Sequence, residues 1–334
     1  MSKKIILIFT AVFFAALPAG VLAGSAMLGG AFADTGISTR PMSMGGAYTA
    51  LADDANASWW NPAGLALLGK EKSVSFTYIP DLYKLTTGKI SRMMVSYGQG
   101  DTSGFGGLGG SISYFDASFG SDYTGDYDYS WAEYVALLSW GMQVDKYLGM
   151  IKYKYPKIAV GVNIKYMGVD NDFEVGGSSN NASGFSGDVS VLMAFKENLN
   201  IGIAARNIYS RINWETGESE RLPYSINGGA YYGITDDFLI IGEIKAVEND
   251  SGKPEINYYC AGTEYNIKFG KNAQIQEVSV RAGLTIDPLN DSYIIAAGPG
   301  IMMEGFSIDY AYQYYIKSEL NNSTHRLGLT AFFK

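Results

Sequence analysis

From Ser73 onward apolar and polar positions alternate with period two in about fourteen segments, the spacing of a strand whose two faces meet different surroundings. Lys157 to Met167 shows it most clearly. There Ile158, Val160, Val162, Ile164 and Tyr166 share one face, and Ala159, Gly161, Asn163 and Lys165 share the other. Phe185 to Phe195 sets Gly187, Val189, Val191 and Met193 against Ser186, Asp188 and Ser190. Asn198 to Ile208 sets Leu199, Ile201, Ile203 and Ala205 against Asn200, Gly202, Ala204 and Arg206. A soluble sandwich alternates in the same way, with its apolar face inward, so the period leaves two architectures open.

Connection length separates them. Counting strands from Ser73, the links after even strands include Lys196-Glu197, residues 233–237 and Glu304-Gly305, all tight. Those after odd strands, residues 117–129, 169–183, 209–221 and 247–253, are long and polar. Short turns at one end and long loops at the other belong to an up-and-down membrane barrel. Residues 143–156 are long for a turn, and a small helix is expected there. Aromatic residues gather near strand ends: Tyr129 and Trp131, Tyr153 and Tyr155, Tyr209 and Trp214, Tyr231 and Tyr232, and Tyr310, Tyr312, Tyr314 and Tyr315. Such positions predict girdles at the membrane interfaces, where a ring is buried and its polar group stays wet. In the last segment Leu327, Leu329, Ala331 and Phe333 alternate with Arg326, Gly328 and Thr330, ahead of Lys334. A closing strand with a near-terminal aromatic resembles the assembly signal of bacterial barrels. An even strand count places both termini on the periplasmic side and leaves no free edge.

Ahead of the strands, residues 36–68 predict two short helices around a tight turn. Ser43 is the expected N-cap of the first, with Met44, Ala47 and Leu51 at helical spacing and Asp53-Asp54 ending it. Asn61 is the expected N-cap of the second, Pro62 its first residue and Gly69 its stop. Three blocks stand here in order: Met44-Gly45-Gly46-Ala47, Ala52-Asp53-Asp54-Ala55 and Trp60-Asn61-Pro62-Ala63-Gly64-Leu65. Together they resemble the N-terminal hatch of the FadL-like outer-membrane proteins, which include the long-chain fatty-acid channels and the PorV/PorQ-like proteins. Within the strands, residues 202–208, Leu222-Pro223-Tyr224, residues 228–231 and 308–312 resemble the shorter PorV/PorQ branch more closely.

The resemblance implies an all-β membrane protein of the bacterial outer membrane: an antiparallel transmembrane β-barrel of about fourteen strands with a small N-terminal helical hatch in its lumen. Met44, Gly45, Gly46, Asp53, Asp54, Trp60, Asn61, Pro62 and Ala63 are then hatch or gate residues. Fatty-acid channels of this kind are thought to release substrate through a gap where the third strand kinks. Here that strand is introduced by a glycine-rich run, which makes Gly106, Gly107, Gly109 and Gly110 a candidate lateral opening, or else a means of easing curvature.

Composition narrows the choice further. Lys3-Lys4, the apolar run from Ile5 to Leu17, Pro18 and Val21-Leu22-Ala23 read as a signal peptide over residues 1–23, with Ala31-Phe32-Ala33 offering a second cleavage site after Ala33. The expected division is 1–23 signal, 24–70 N-terminal segment and hatch, and 71–334 barrel. A net charge of −8 argues against nucleic acid as a partner. Cys260 is the only cysteine, so no intramolecular disulfide forms. A helix bundle is excluded because no second long apolar run exists, whereas a barrel strand needs only about 9–11 residues. His325, the only histidine, stands at the start of the last strand and reads as a rim residue; with no G-x-S-x-G elbow, catalysis has no support. Metal centres of the His/Cys type are excluded by count, and Asp170-Asn171-Asp172 and Glu248-Asn249-Asp250 read as solvated loops rather than calcium ligands. No cofactor is expected.

With the apolar faces turned to lipid, the opposite faces put Arg92, Glu133, Lys165, Asp188, Arg206, Glu243, Lys245, Glu264, Arg281, Asp309 and Arg326 in the lumen. In a crowded interior such charges are expected to pair with one another and with the hatch backbone. Alternatively, basic members such as Arg206 and Arg281 meet a carboxylate headgroup in transit. The resemblance implies passive transport of long-chain fatty acids or other hydrophobic small molecules, with outer-membrane lipid around the barrel. The alternative is a PorV-like barrel that serves protein secretion or surface attachment and has secretion-machinery proteins as partners. Transport predicts a continuous apolar pocket between hatch and wall; the alternative predicts an occluded lumen.

Overall fold

The computed structural model describes residues 36–82, 88–101, 104–119, 129–145, 156–172, 174–175, 178–179, 181–196, 198–317 and 323–333. The expected signal cleavage, Tyr153 and Tyr155, and the helix expected within residues 146–155 lie outside them. The barrel strands are β1 (Lys72–Ile79), β2 (Gly88–Gln99), β3 (Gly107–Phe119), β4 (Tyr129–Gln143), β5 (Lys157–Asn171), β6 (Ala182–Lys196) and β7 (Leu199–Trp214). They continue as β8 (Ser225–Gly233), β9 (Phe238–Glu248), β10 (Pro254–Lys268), β11 (Ile275–Asp287), β12 (Ser292–Met303), β13 (Phe306–Ile316) and β14 (Ser323–Phe333). Each pairs antiparallel with the next, and β14 returns to β1, with Lys72 opposite Phe333 and Tyr78 opposite Leu327. The sheet is closed, so every strand has a neighbour on both sides.

Its two surfaces differ as the period-two pattern requires. Leu138 and Ile164, opposite each other on β4 and β5, are 75% and 69% exposed, while Asn163 and Lys165 beside them are buried. Apolar side chains point out all round, and the charged side chains in the middle of the strands point in together with one apolar patch, the arrangement a bilayer demands.

The strands on the long-loop side run further than the sequence predicts. Residues 209–221 are expected to be loop, yet β7 continues to Trp214 through a bulge. Gly187 pairs with Tyr209 and Val189 with Ala205, so residues 206–208 of β7 face Asp188 alone. Asn207 takes φ +52°, a left-handed conformation that asparagine tolerates, and both Arg206 and Asn207 are buried in the lumen. Three residues of β7 there stand against one of β6, so the parity is kept and Trp214 lies on the same inward face as Ala204 and Arg206. It is 5% exposed and meets Trp131 at 6.3 Å between ring centroids. These two tryptophans are therefore lumen residues and not members of a girdle.

The hatch consists of α1 (Thr39–Ser43), α2 (Ala57–Trp60) and a 3-10 turn over Pro62–Leu67. Ser43 does not cap a following helix. It ends α1, donating to the Arg40 carbonyl at 2.7 Å, and residues 44–51 form turns. The cause is Gly45-Gly46: both adopt positive φ, +69° and +77°, which reverses the chain where a helix would have continued. Asn61 caps as expected, its Oδ1 accepting from the Ala63 amide at 3.1 Å with Pro62 next, although the turn it starts is 3-10.

Candidate functional site

The hatch fills the waist of the barrel and is fastened to it from several walls. Glu243 Oε2 on β9 accepts from the amides of Tyr48 and Thr49 at 2.9 and 2.8 Å, and its Oε1 accepts from Asn227 Nδ2 at 2.9 Å. Asn163 Nδ2 and Ser139 Oγ both donate to the Ser58 carbonyl, Arg206 Nη2 to that of Trp60, and Thr285 Oγ1 to that of Gly45. The Ala63 amide donates to Ser190 Oγ at 3.1 Å. Every lumen charge named from the sequence does face inward, and ten of the eleven are buried, Lys245 being partly exposed. Lys165 pairs with Asp188 at 2.7 Å, and Arg281 with both Glu264 and Asp309 at 2.6 Å.

One residue that sequence reasoning passed over is central. Arg40 on α1 holds Asp53 at 2.7 Å and grips Glu264 of β10 with two donors, at 2.8 and 3.0 Å. It is the ionic tie between hatch and wall, and the signal was available: a lone cation in a run of small residues, followed by Asp53-Asp54. Burial pushes the phenol of Tyr48 well up, and the neighbouring Asp53 adds to this. The phenol therefore stays a donor, to Asp53 Oδ1 at 2.8 Å.

Two chambers lie on opposite sides of the hatch. The outer one, toward the long loops, has about 580 Å³ and a floor of Met42, Gly45, Gly46 and Trp60. Its described charged lining is Arg92, Arg206, Lys245, Lys317 and Arg326 against Glu243 and Asp287. Ile79 and Leu82 also line it, and through them it adjoins an apolar column on the inner wall that includes Met94, Phe115, Val135, Met167, Val169 and Ile212, capped by Trp131 and Trp214. The inner chamber, toward the short turns, has about 170 Å³ and the opposite sign: Asp53, Asp54, Glu264, Glu277 and Asp309 against Arg40 and Arg281. Among the described residues these two spaces do not join into one apolar pocket, because the hatch is packed against the wall between them.

At the third strand, the candidate for a lateral opening, the glycines are placed as follows. From Leu108 to Phe119, β3 pairs without a register shift with β2, and from Gly107 with β4. Gly107 and Gly109 instead face the hatch, where a Cβ on Gly107 would overlap the Leu65 carbonyl and one on Gly109 would crowd Leu65 and Ser58. Gly106 (φ +105°) turns the chain over Gly141, and Gly110 lies outward beside Leu138. An interruption lies elsewhere: between β12 and β13 the ladder skips Gly298-Pro299, where proline has no amide to offer. His325 sits on the outward face of β14, partly buried, with Nδ1 2.6 Å from the Tyr310 hydroxyl, rather than bare on the rim. Glu248, in one of the acidic stretches, clamps Arg221 with two contacts of 2.5 Å.

No family model matches the chain, and no curated protein matches it in sequence. Solved structures do. CymD, a monoaromatic hydrocarbon channel, is 12% identical and superposes with a TM-score of 0.59 over 89% of this chain and 96% of its own. The toluene transporter TbuX of Ralstonia pickettii gives 12% and 0.58 over 89% and 97%, and a FadL homologue from Pseudomonas aeruginosa 12% and 0.57 over 89% and 98%. At these identities the likeness is one of fold: this chain shares the barrel fold of those structures, closed here by fourteen antiparallel strands around its N-terminal segment.

Proposed function

We propose that this chain is a passive outer-membrane channel for hydrophobic small molecules, long-chain fatty acids among them, which enter from the outside and are held above the hatch. The observation that carries this reading is the outer chamber of about 580 Å³, set where the apolar column meets a predominantly basic wall. A tail laid along Ile79, Leu82 and Trp60 leaves water, worth about 25 cal/mol per Å² buried. An acidic head reaches Arg92, Arg206 or Arg326. The solved barrels of the same fold that are named as toluene transporters or hydrocarbon channels support the same class of cargo. Met44, Gly45, Gly46, Trp60, Asn61, Pro62 and Ala63 serve as the gate: Gly45, Gly46 and Trp60 lie on the chamber floor, and Asn61 to Ala63 lock against β5 and β6.

The test is uptake of a labelled long-chain fatty acid by intact cells. A deletion strain is compared with the same strain carrying the wild-type chain or an Asn61→Ala, Pro62→Ala double variant at matched surface level. Uptake is expected to fall several-fold on deletion and to change with the hatch variant. Uptake indifferent to the deletion overturns the reading for this class of cargo.

A further inference from the structure

We propose that Arg92 and Arg326 clamp the phosphomonoester head of an amphiphile, which narrows the cargo of the outer chamber to alkyl phosphates and rests on that chamber as the place where cargo is held. Tyr78 stands opposite Leu327 and Ile79 opposite Arg92, which sets Arg326 and Arg92 on either side of Ile79 in one row across β14, β1 and β2. Their Cα atoms are therefore about 10 Å apart, two strand spacings. All three side chains are buried and line the chamber. Arg92 Nε donates to Ser113 Oγ at 3.2 Å and its Cζ lies 5.8 Å from the ring centroid of Trp59, while Arg326 Nη1 donates to Gln313 Oε1. Both guanidinium groups are thus steadied with a hydrocarbon side chain between them.

The charges that reach the chamber favour the same ligand. Among the described residues its lining sets five cations against two carboxylates, an excess of three positive charges. Glu243 and Asp287 stand on β9 and β11, away from the row, and both already accept from backbone amides: Tyr48 and Thr49 for the first, Leu289 and Asn290 for the second. Toward β4 the row continues through Phe115 to Glu133, which accepts from Trp131 Nε1 at 2.9 Å and does not line the chamber. A carboxylate head has one charge and two oxygens, which a single guanidinium fork fills. A phosphomonoester carries close to two charges at neutral pH and has three terminal oxygens, so it accepts from two forks at once. Ile79 and Leu82 then lead its tail onto the apolar column.

The experiment is calorimetric titration of the purified barrel in detergent with n-hexyl phosphate, n-hexanoate, n-hexanol and inorganic phosphate. Hexyl phosphate is expected to saturate one site at least tenfold more tightly than hexanoate or inorganic phosphate, with hexanol weakest. Arg326→Gln should weaken hexyl phosphate at least tenfold and hexanol less than twofold, and Arg92→Lys, which keeps the charge and removes the fork, should weaken hexyl phosphate several-fold. If neither variant keeps the heat-dependent gel mobility of a folded barrel, the order of the four ligands on the wild-type chain decides. Hexanoate or hexanol binding as tightly as hexyl phosphate overturns the clamp and leaves the chamber as a cargo site, and so does affinity for hexyl phosphate unchanged in a folded Arg326→Gln barrel. Inorganic phosphate binding as tightly as hexyl phosphate overturns the amphiphile as ligand. Absence of binding by all three tailed ligands overturns both the clamp and the chamber as the place where cargo is held.

Discussion

Glu243 shows how much of the hatch's position rests on single side chains. Its carboxylate replaces water for two consecutive amides, Tyr48 and Thr49, in a part of the lumen where both residues are fully buried. Glu243→Ala leaves these two buried donors unmade, together with the Asn227 side-chain amide. At about 1–3 kcal/mol for each group left unsatisfied, and with some relief from water entering the space vacated, the hatch should loosen by about 2–4 kcal/mol. Hydrogen exchange reads this directly. The Tyr48 and Thr49 amides should exchange at least tenfold faster in the variant while the amides of β4 and β5 keep their protection. Unchanged exchange at these two positions would show that the hatch is held without Glu243.

At the scale of elements, the fit between hatch and barrel depends on where the wall has no side chains. A Cβ on Gly107 of β3, Gly141 of β4, Gly161 of β5, Gly202 of β7, Gly262 of β10 or Gly283 of β11 would overlap hatch backbone. These glycines let two backbones approach to a distance that any other residue forbids. Gly283→Ala, whose methyl would overlap Gly45 N, should lower stability by about 1–3 kcal/mol through overpacking. Gly228→Ala on β8, with nothing within 4 Å of the added carbon, is the control and should melt with the wild type. A thermal melt of both variants checks the contrast; equal melting would mean the hatch yields without cost. This lock was hidden in the sequence. The strands were legible because period two needs only neighbouring residues, and the Asn61-Pro62 start was legible because a cap is local. Which of many glycines faces the hatch depends on the register of strands far apart in the chain. For the same reason Ser43 misled, since Gly45-Gly46 decides its fate, and reading residues 209–221 as loop concealed that β7 continues through its bulge and carries Trp214 inward.

For the whole molecule, the outward surface and the two chambers carry opposite demands, and the sequence meets both with one alternation. Residues of even and odd parity in the middle of β5 face outward and into the lumen respectively, so Ile164 and Lys165, adjacent in the chain, meet opposite surroundings. The lumen charges were therefore readable in advance as a set. Their partition into a basic outer and an acidic inner group was not, because it depends on where the hatch divides the space. If the apolar exterior is a bilayer surface, a charge placed there is penalised by depth and one at a strand end is not. Ile164→Arg should therefore cost about 2–4 kcal/mol on folding into lipid vesicles, and Lys89→Arg, at the exposed start of β2, should cost close to nothing. Refolding from urea into vesicles, followed by heat-dependent gel mobility across a denaturant series, measures both. A penalty confined to Ile164→Arg is what a membrane exterior requires. Equal folding of the two variants would instead mean that this face meets water.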